Sequence, residues 1–152
     1  MANRIDYGAA SPNGYKAFLG VHAYLQHCSL PRELVDLVYL RVSLINGCAY
    51  CIDSHSRDLL KRGMSTDKLA LVPVWREAES LFTDTERAAL AWAERLTNIA
   101  QAGVPDADYD AAKAHFSDKE LADLTYAVCL MNGFNRLAIS FRKTPAAVAN
   151  HS

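Results

Sequence analysis

The sequence has almost no charge imbalance: 16 lysines and arginines face 17 acids, leaving a formal net charge of −1 over 152 residues. The basic side chains are scattered among the acids, with no basic block and no aromatic-basic interleaving. Nothing therefore argues for nucleic acid or an anionic membrane as a partner. Long hydrophobic runs are missing too, so no stretch reads as a bilayer span, and Met1 to Asp6 lacks the apolar core of a signal peptide. A cytoplasmic location is the expectation that follows. No glycine-rich phosphate loop is present, and no alternating strand or βαβ pattern, which excludes a thioredoxin-type setting for any cysteine motif. Low-complexity segments and interdomain linkers are also absent. With 51% hydrophobic residues, the chain reads as one domain spanning residues 1–152 and able to bury a core without staples. Only 4 cysteines occur. In a reducing compartment these are no disulfide framework, and a CxxC among them is a metal-binding or catalytic feature.

What is present centres on Asn46-Gly47-Cys48-Ala49-Tyr50-Cys51-Ile52-Asp53-Ser54-His55. Pro31 to Ile45 reads as a helix, capped by Ser29 or Leu30, with Leu34, Leu37, Val38, Leu44 and Ile45 on a broad apolar face. Asn46-Gly47 stops it, because that pair tolerates the left-handed backbone of a helix end. The cysteines then open a second helix that ends at Gly63. In a first turn, free backbone N–H groups and the positive end of the helix dipole favour thiolate over thiol. His55 is i+4 from Cys51 and on the same face, which makes Cys51 the nucleophile and Cys48 its resolving partner. If the two helices fold back on each other, positions whose numbers sum to about 91–93 lie side by side. Asp36 meets that condition with His55 and would hold the imidazole in one tautomer, with Glu33, one turn earlier, as the fallback.

The flanks read as helices throughout, giving an all-α, compact multi-helix fold with the CxxC at the start of a helix in a central helical hairpin. An irregular arm covers residues 1–13, followed by a helix carrying Tyr15, Phe18, His22 and Leu25 and ending near His27-Cys28. A short helix from Asp67 to Val72 is interrupted by Pro73, and Thr83-Asp84-Thr85-Glu86 is a capping box. The helix it opens carries Ala89, Trp92, Ala93, Leu96 and Ile99 and runs to Gly103. A weaker helix covers Asp106 to His115. Ser117-Asp118-Lys119-Glu120 is a second capping box, opening a helix that bends or breaks at Asn132-Gly133 before a last helix from Phe134 to about Lys143. Cys28, Cys129 and His22 read as core or interface residues, Trp75 and Trp92 as anchors, and Arg41 as the partner of an acid on a neighbouring helix or subunit. Helices this widely apolar suggest burial against other subunits as well.

Leu40-Arg41-Val42-Ser43-Leu44-Ile45-Asn46-Gly47-Cys48-Ala49-Tyr50-Cys51 with His55 resembles the core signature of the AhpD-like alkylhydroperoxidases of the carboxymuconolactone decarboxylase family. The resemblance implies Cys51 as peroxidatic thiol, Cys48 as resolving thiol, His55 as base and Asp36 in the position of the family's glutamate. Two departures stand out: Asp36 is one methylene shorter than that glutamate, and Tyr50 replaces a histidine found before the peroxidatic cysteine in the best-known members. The resemblance also implies a peroxide substrate, a dithiol reductant such as a lipoylated protein, and a homo-oligomer, trimeric or hexameric. No metal, flavin or nucleotide cofactor is required. Two alternatives stay open: a lactone decarboxylase, which needs no thiol, and a non-catalytic zinc-binding or redox-sensing module. Closed zinc sites want four ligands, and the chain has no second CxxC.

Overall fold

The computed structural model describes residues 3–150, and every element among them is helical. Where an irregular arm was expected, the carboxylate of Asp6 accepts hydrogen bonds from the N–H groups of Gly8 and Ala9, closing a single turn, α1 (Tyr7–Ala10). Pro12 then opens α2 (Pro12–Leu25). The central pair follows. α3 (Arg32–Asn46) is capped at Pro31, not at Ser29 or Leu30: the Pro31 carbonyl accepts the Val35 N–H at 3.1 Å. It stops as expected at Gly47, whose φ of 69° is left-handed, and α4 (Ala49–Lys61) leaves immediately with Cys48 as its N-cap. Ser65 caps α5 (Thr66–Leu71), and Pro73 turns the continuation into a 3₁₀ helix, Val72–Leu81.

Both capping boxes form, opening α6 (Asp84–Thr97) at Thr83 and Glu86 and the long C-terminal helix at Ser117 and Glu120. α6 stops at Asn98, ahead of the expected end at Gly103, and the residues between form a separate turn, α7 (Ile99–Ala102). α8 (Asp106–Lys113) precedes α9 (Asp118–Ser140), and α10 (Ala146–Ala149) is the last turn described. The expected break at Asn132-Gly133 does not occur, because α9 runs through it. A Cβ on Gly133 would stand 2.7 Å from the Phe18 ring, so the glycine serves the close approach of α2 to α9 and ends nothing.

α3 is the axis of the fold, packed against α4, α6 and α9. Its two flanks serve two apolar clusters. Val35, Val38 and Val42 join Ala89, Ala93, Leu124, Val128 and both cysteines, while Leu37 and Leu40 join Leu59, Val72, Trp75 and Phe82. A helix apolar over most of its circumference is thus buried over most of its length. Its mid-helix cation is paired as expected: Arg41 meets Glu94 at 2.7 Å, a carboxylate that also accepts from the Trp75 indole at 2.8 Å. Trp75 and Trp92 are buried anchors. Cys129 is not a core residue but is exposed, since it shares the outer face of α9 with Tyr126 three residues before it. No helix among the described residues is long and apolar enough to cross a membrane.

Candidate active site

The left-handed turn at Gly47 reverses the chain so that α4 begins beside the end of α3, with Cys48 at the cap. The Cys51 N–H points at the Cys48 sulfur at 3.4 Å, the role an N-cap oxygen usually plays. Both thiols are free and buried, and their sulfurs lie 2.6 Å apart. They share one proton unequally. The hydrogen bond between the two sulfurs draws the Cys48 pKa down to about 7, against the opposing effect of burial. Cys51 is pushed up by that same bond and by burial, so the resting charge of the pair sits on Cys48. Asn135, fully buried on α9, lies beside both sulfurs and favours the thiolate of each. Its amide is held by Ser43 at 3.0 Å and by Asn46 at 2.9 Å. Asn135→Leu keeps the volume and removes the donor, and alkylation of the pair by iodoacetamide at pH 7 is expected to slow about tenfold. An unchanged rate in the folded variant overturns that role.

One turn along α4 from Cys51, His55 packs its ring 5.0 Å from the ring of Tyr39 and faces α3. Asp36 lies against it, as the hairpin arithmetic predicted, with 3.9 Å between His55 Nδ1 and Asp36 Oδ1, and Glu33 makes no such ion-pair contact among the described residues. That separation is too long for a hydrogen bond. The contact is also no salt bridge at neutral pH, because burial lowers the His55 pKa to about 4 and leaves the imidazole neutral. The firm partner of Asp36 is Arg62, whose Nε donates to Oδ2 at 2.7 Å from the far end of α4. Burial still raises the Asp36 pKa in spite of that guanidinium. His55 Nδ1 and the Tyr39 hydroxyl are both buried without a hydrogen-bond partner among the described residues. Two unsatisfied polar atoms around one carboxylate are costly, and they cluster where chemistry would use them.

Cys51 and His55 line a common cavity of about 180 Å³ with His22, Tyr7, Tyr15, Tyr50, Phe134 and Lys143. His22 was expected in core or interface packing, yet it stands in this wall with its ring stacked 6.0 Å from Tyr39. Cys48 borders a separate hollow on the other side of Tyr50, with Ala138 and Pro145. The hairpin therefore presents Cys51, not Cys48, to whatever enters beside His55. Among the described residues one group has metal-ligating geometry, Asp36, His55 and Asp58, and neither cysteine belongs to it. Sequence reasoning missed Arg62, Asn135 and Lys143, since each reaches the site from a helix end or from α9 rather than from the motif.

The model of the carboxymuconolactone decarboxylase family matches residues 12–95, a span that contains the whole hairpin. The chain belongs to that family. Another similar chain, the uncharacterized protein YdfG of Bacillus subtilis, is 31% identical over 147 residues, covering 97% of this chain and 99% of its own. A protein of unknown function from Agrobacterium tumefaciens, described as a candidate antioxidant-defence protein AhpD, superposes with a TM-score of 0.91 at 39% identity, over 95% of this chain and 98% of that one. An uncharacterized peroxidase-related protein from Ralstonia eutropha shares the fold, with a TM-score of 0.79 at 23% identity over 91% of this chain and 73% of its own. Family membership and the AhpD-like helical fold thus agree with the hairpin geometry.

Proposed function

We propose that this member of the family is a thiol peroxidase that reduces organic hydroperoxides or hydrogen peroxide through a Cys48–Cys51 cycle. The observation that carries the reading is a pair of free thiols 2.6 Å apart, one of which lines a cavity with a neutral, buried histidine. The Cys51 thiolate attacks the distal peroxide oxygen, the O–O bond breaks, and the departing alkoxide or hydroxide takes a proton. Cys51 is then a sulfenic acid. The Cys48 thiolate displaces hydroxide from it, which leaves as water, and the disulfide forms. A dithiol reductant, such as a lipoylated protein, reopens that bond by exchange and is itself oxidised. His55 is suited to relay that proton: neutral at rest, it takes up the proton the thiol pair gives up on ionising and, as an imidazolium with a pKa near 4, passes it readily to the alkoxide. Asp36, tied to Arg62 and 3.9 Å from His55 Nδ1, would attract that ring once it carries a proton.

Peroxide consumption with cumene hydroperoxide and a dihydrolipoyl donor tests the cycle in wild type, Cys51→Ser, Cys48→Ser, His55→Gln and Asp36→Asn. Equal rates in all five proteins overturn it. Lactone decarboxylation would survive the loss of both thiols, so retained decarboxylase activity in Cys51→Ser would favour that reading instead. The protein is further proposed to act as a homo-oligomer, trimeric or hexameric. The support is a set of exposed apolar side chains on α2 and α9, among them Leu19, Val21, Tyr24, Tyr126 and Ile139. A monomeric mass by light scattering at micromolar concentration would count against it.

A further inference from the structure

α9 ends in an unusual way. The Lys143 N–H returns to the Ala138 carbonyl at 2.9 Å and the Arg142 N–H to the Ile139 carbonyl at 3.2 Å, the bonding of a left-handed helix stop. Glycine normally holds that position, yet here Arg142 adopts the left-handed φ of 54°. The turn folds Lys143 back onto the cavity that holds Cys51. There its ammonium stands 4.4 Å from the centre of the Tyr50 ring and 5.3 Å from that of Tyr7, with the Tyr7 hydroxyl at 3.5 Å. Lys143 is partly buried, and no carboxylate among the described residues lies within ion-pair distance of it. It also borders the two adjoining hollows.

A partly desolvated cation held by aromatic faces and a phenol, with its counter-ion missing, is a receptor for an anion. We propose that Lys143, with the Tyr7 hydroxyl, forms a subsite for the carboxylate of the substrate, so that the peroxide handled at Cys51 is one bearing an acid group. This rests on the peroxidase reading for the reaction but not for the binding. The cavity walls suit the rest of such a molecule: Leu19, Phe134 and Met131 are apolar, and Tyr15 offers a ring face. The carboxylate would accept from the ammonium and the phenol while the hydroperoxide lies toward Cys51 and His55. Anions held this way gain a charge-assisted hydrogen bond.

Two ligand pairs test the subsite. The first is 4-(2-hydroxypropan-2-yl)benzoate and its methyl ester, which cannot oxidise a thiol, with binding read by calorimetry. The acid should bind wild type about tenfold more tightly than the ester, and Lys143→Gln should erase that preference while Lys143→Arg restores most of it. The second pair is the corresponding hydroperoxides, compared by kcat/KM, where the ratio of acid to ester should fall about tenfold in Lys143→Gln and the change should lie in KM. If Lys143 served only to stabilise the Cys51 thiolate, both peroxides would slow equally and the acid preference would be absent, which overturns the proposal. Acid binding that depends on Lys143 in a protein that consumes neither peroxide would keep the subsite and refute the peroxidase. Peroxide turnover without any acid preference would do the reverse.

Discussion

Cys51→Ser is expected to reduce peroxide turnover to background, a loss of at least about a thousandfold, whereas Cys48→Ser keeps one stoichiometric burst and then stops. The asymmetry follows from access, not from acidity. Acidity alone would choose Cys48, whose pKa is drawn to about 7 while that of Cys51 is pushed up. Yet both thiols are buried and Cys48 borders a different hollow, whereas it is Cys51 that lines the cavity with His55. The 2.6 Å between the sulfurs lets the shared proton pass from one to the other, so charge resting on Cys48 becomes available at Cys51 when a peroxide arrives. Removing Cys48 also removes the neighbour that raises the Cys51 pKa, so the lone thiol ionises more readily and reacts once. The sulfenic acid it leaves has no resolving partner. Rapid mixing with one equivalent of cumene hydroperoxide, followed by dimedone labelling and mass spectrometry, should therefore find the adduct on Cys51 of Cys48→Ser. An adduct on Cys48 of Cys51→Ser, with a full burst there, would reverse the assignment.

What could be read from the sequence was whatever depends on local backbone chemistry. Gly47 had to be left-handed, the two capping boxes satisfy their own N–H groups, and a tight reversal at Gly47 set Asp36 opposite His55 by rise per residue alone. Residues delivered by tertiary packing left no comparable signal. Arg62 sits beyond the end of α4 and reaches back to Asp36; nothing in its neighbours marks it out from other exposed cations. Asn135 was hidden by the same Asn-Gly pair that suggested a helix break, since that reading separated it from the buried face of α9. His22 lay on a stripe that looked like packing, because a cavity wall and a core face share the same periodicity. Cys129 shows the opposite error, in which an apolar neighbourhood was taken for an inward direction.

The stability of the wild-type protein is expected to fall by about 3 kcal/mol more than that of His55→Gln as pH is lowered from 7 to 4. In the unfolded chain the imidazole has its ordinary pKa of 6.5, and in the folded protein burial lowers it to about 4. Between those values the unfolded state binds the proton and the folded state does not, so His55 makes stability rise with pH. Its contribution is fully present above pH 6.5 and is lost as pH falls through about 4. Asp36 works the other way. Burial raises its folded pKa, so protonating it in acid relieves a cost that the ionised carboxylate carries at neutral pH. The two groups are 3.9 Å apart, and an imidazolium formed in acid would meet a carboxylate that is losing its charge, so neither rescues the other. Urea denaturation at pH 7, 5.5 and 4 separates the terms: the difference between wild type and His55→Gln should change through this range, and Asp36→Asn should shift in the opposite direction. Parallel curves for wild type and His55→Gln would mean that the imidazole reaches solvent in the native protein. The low-pKa ring facing Cys51 would then lose its physical basis, and with it the ready passage of a proton from the imidazolium to the alkoxide.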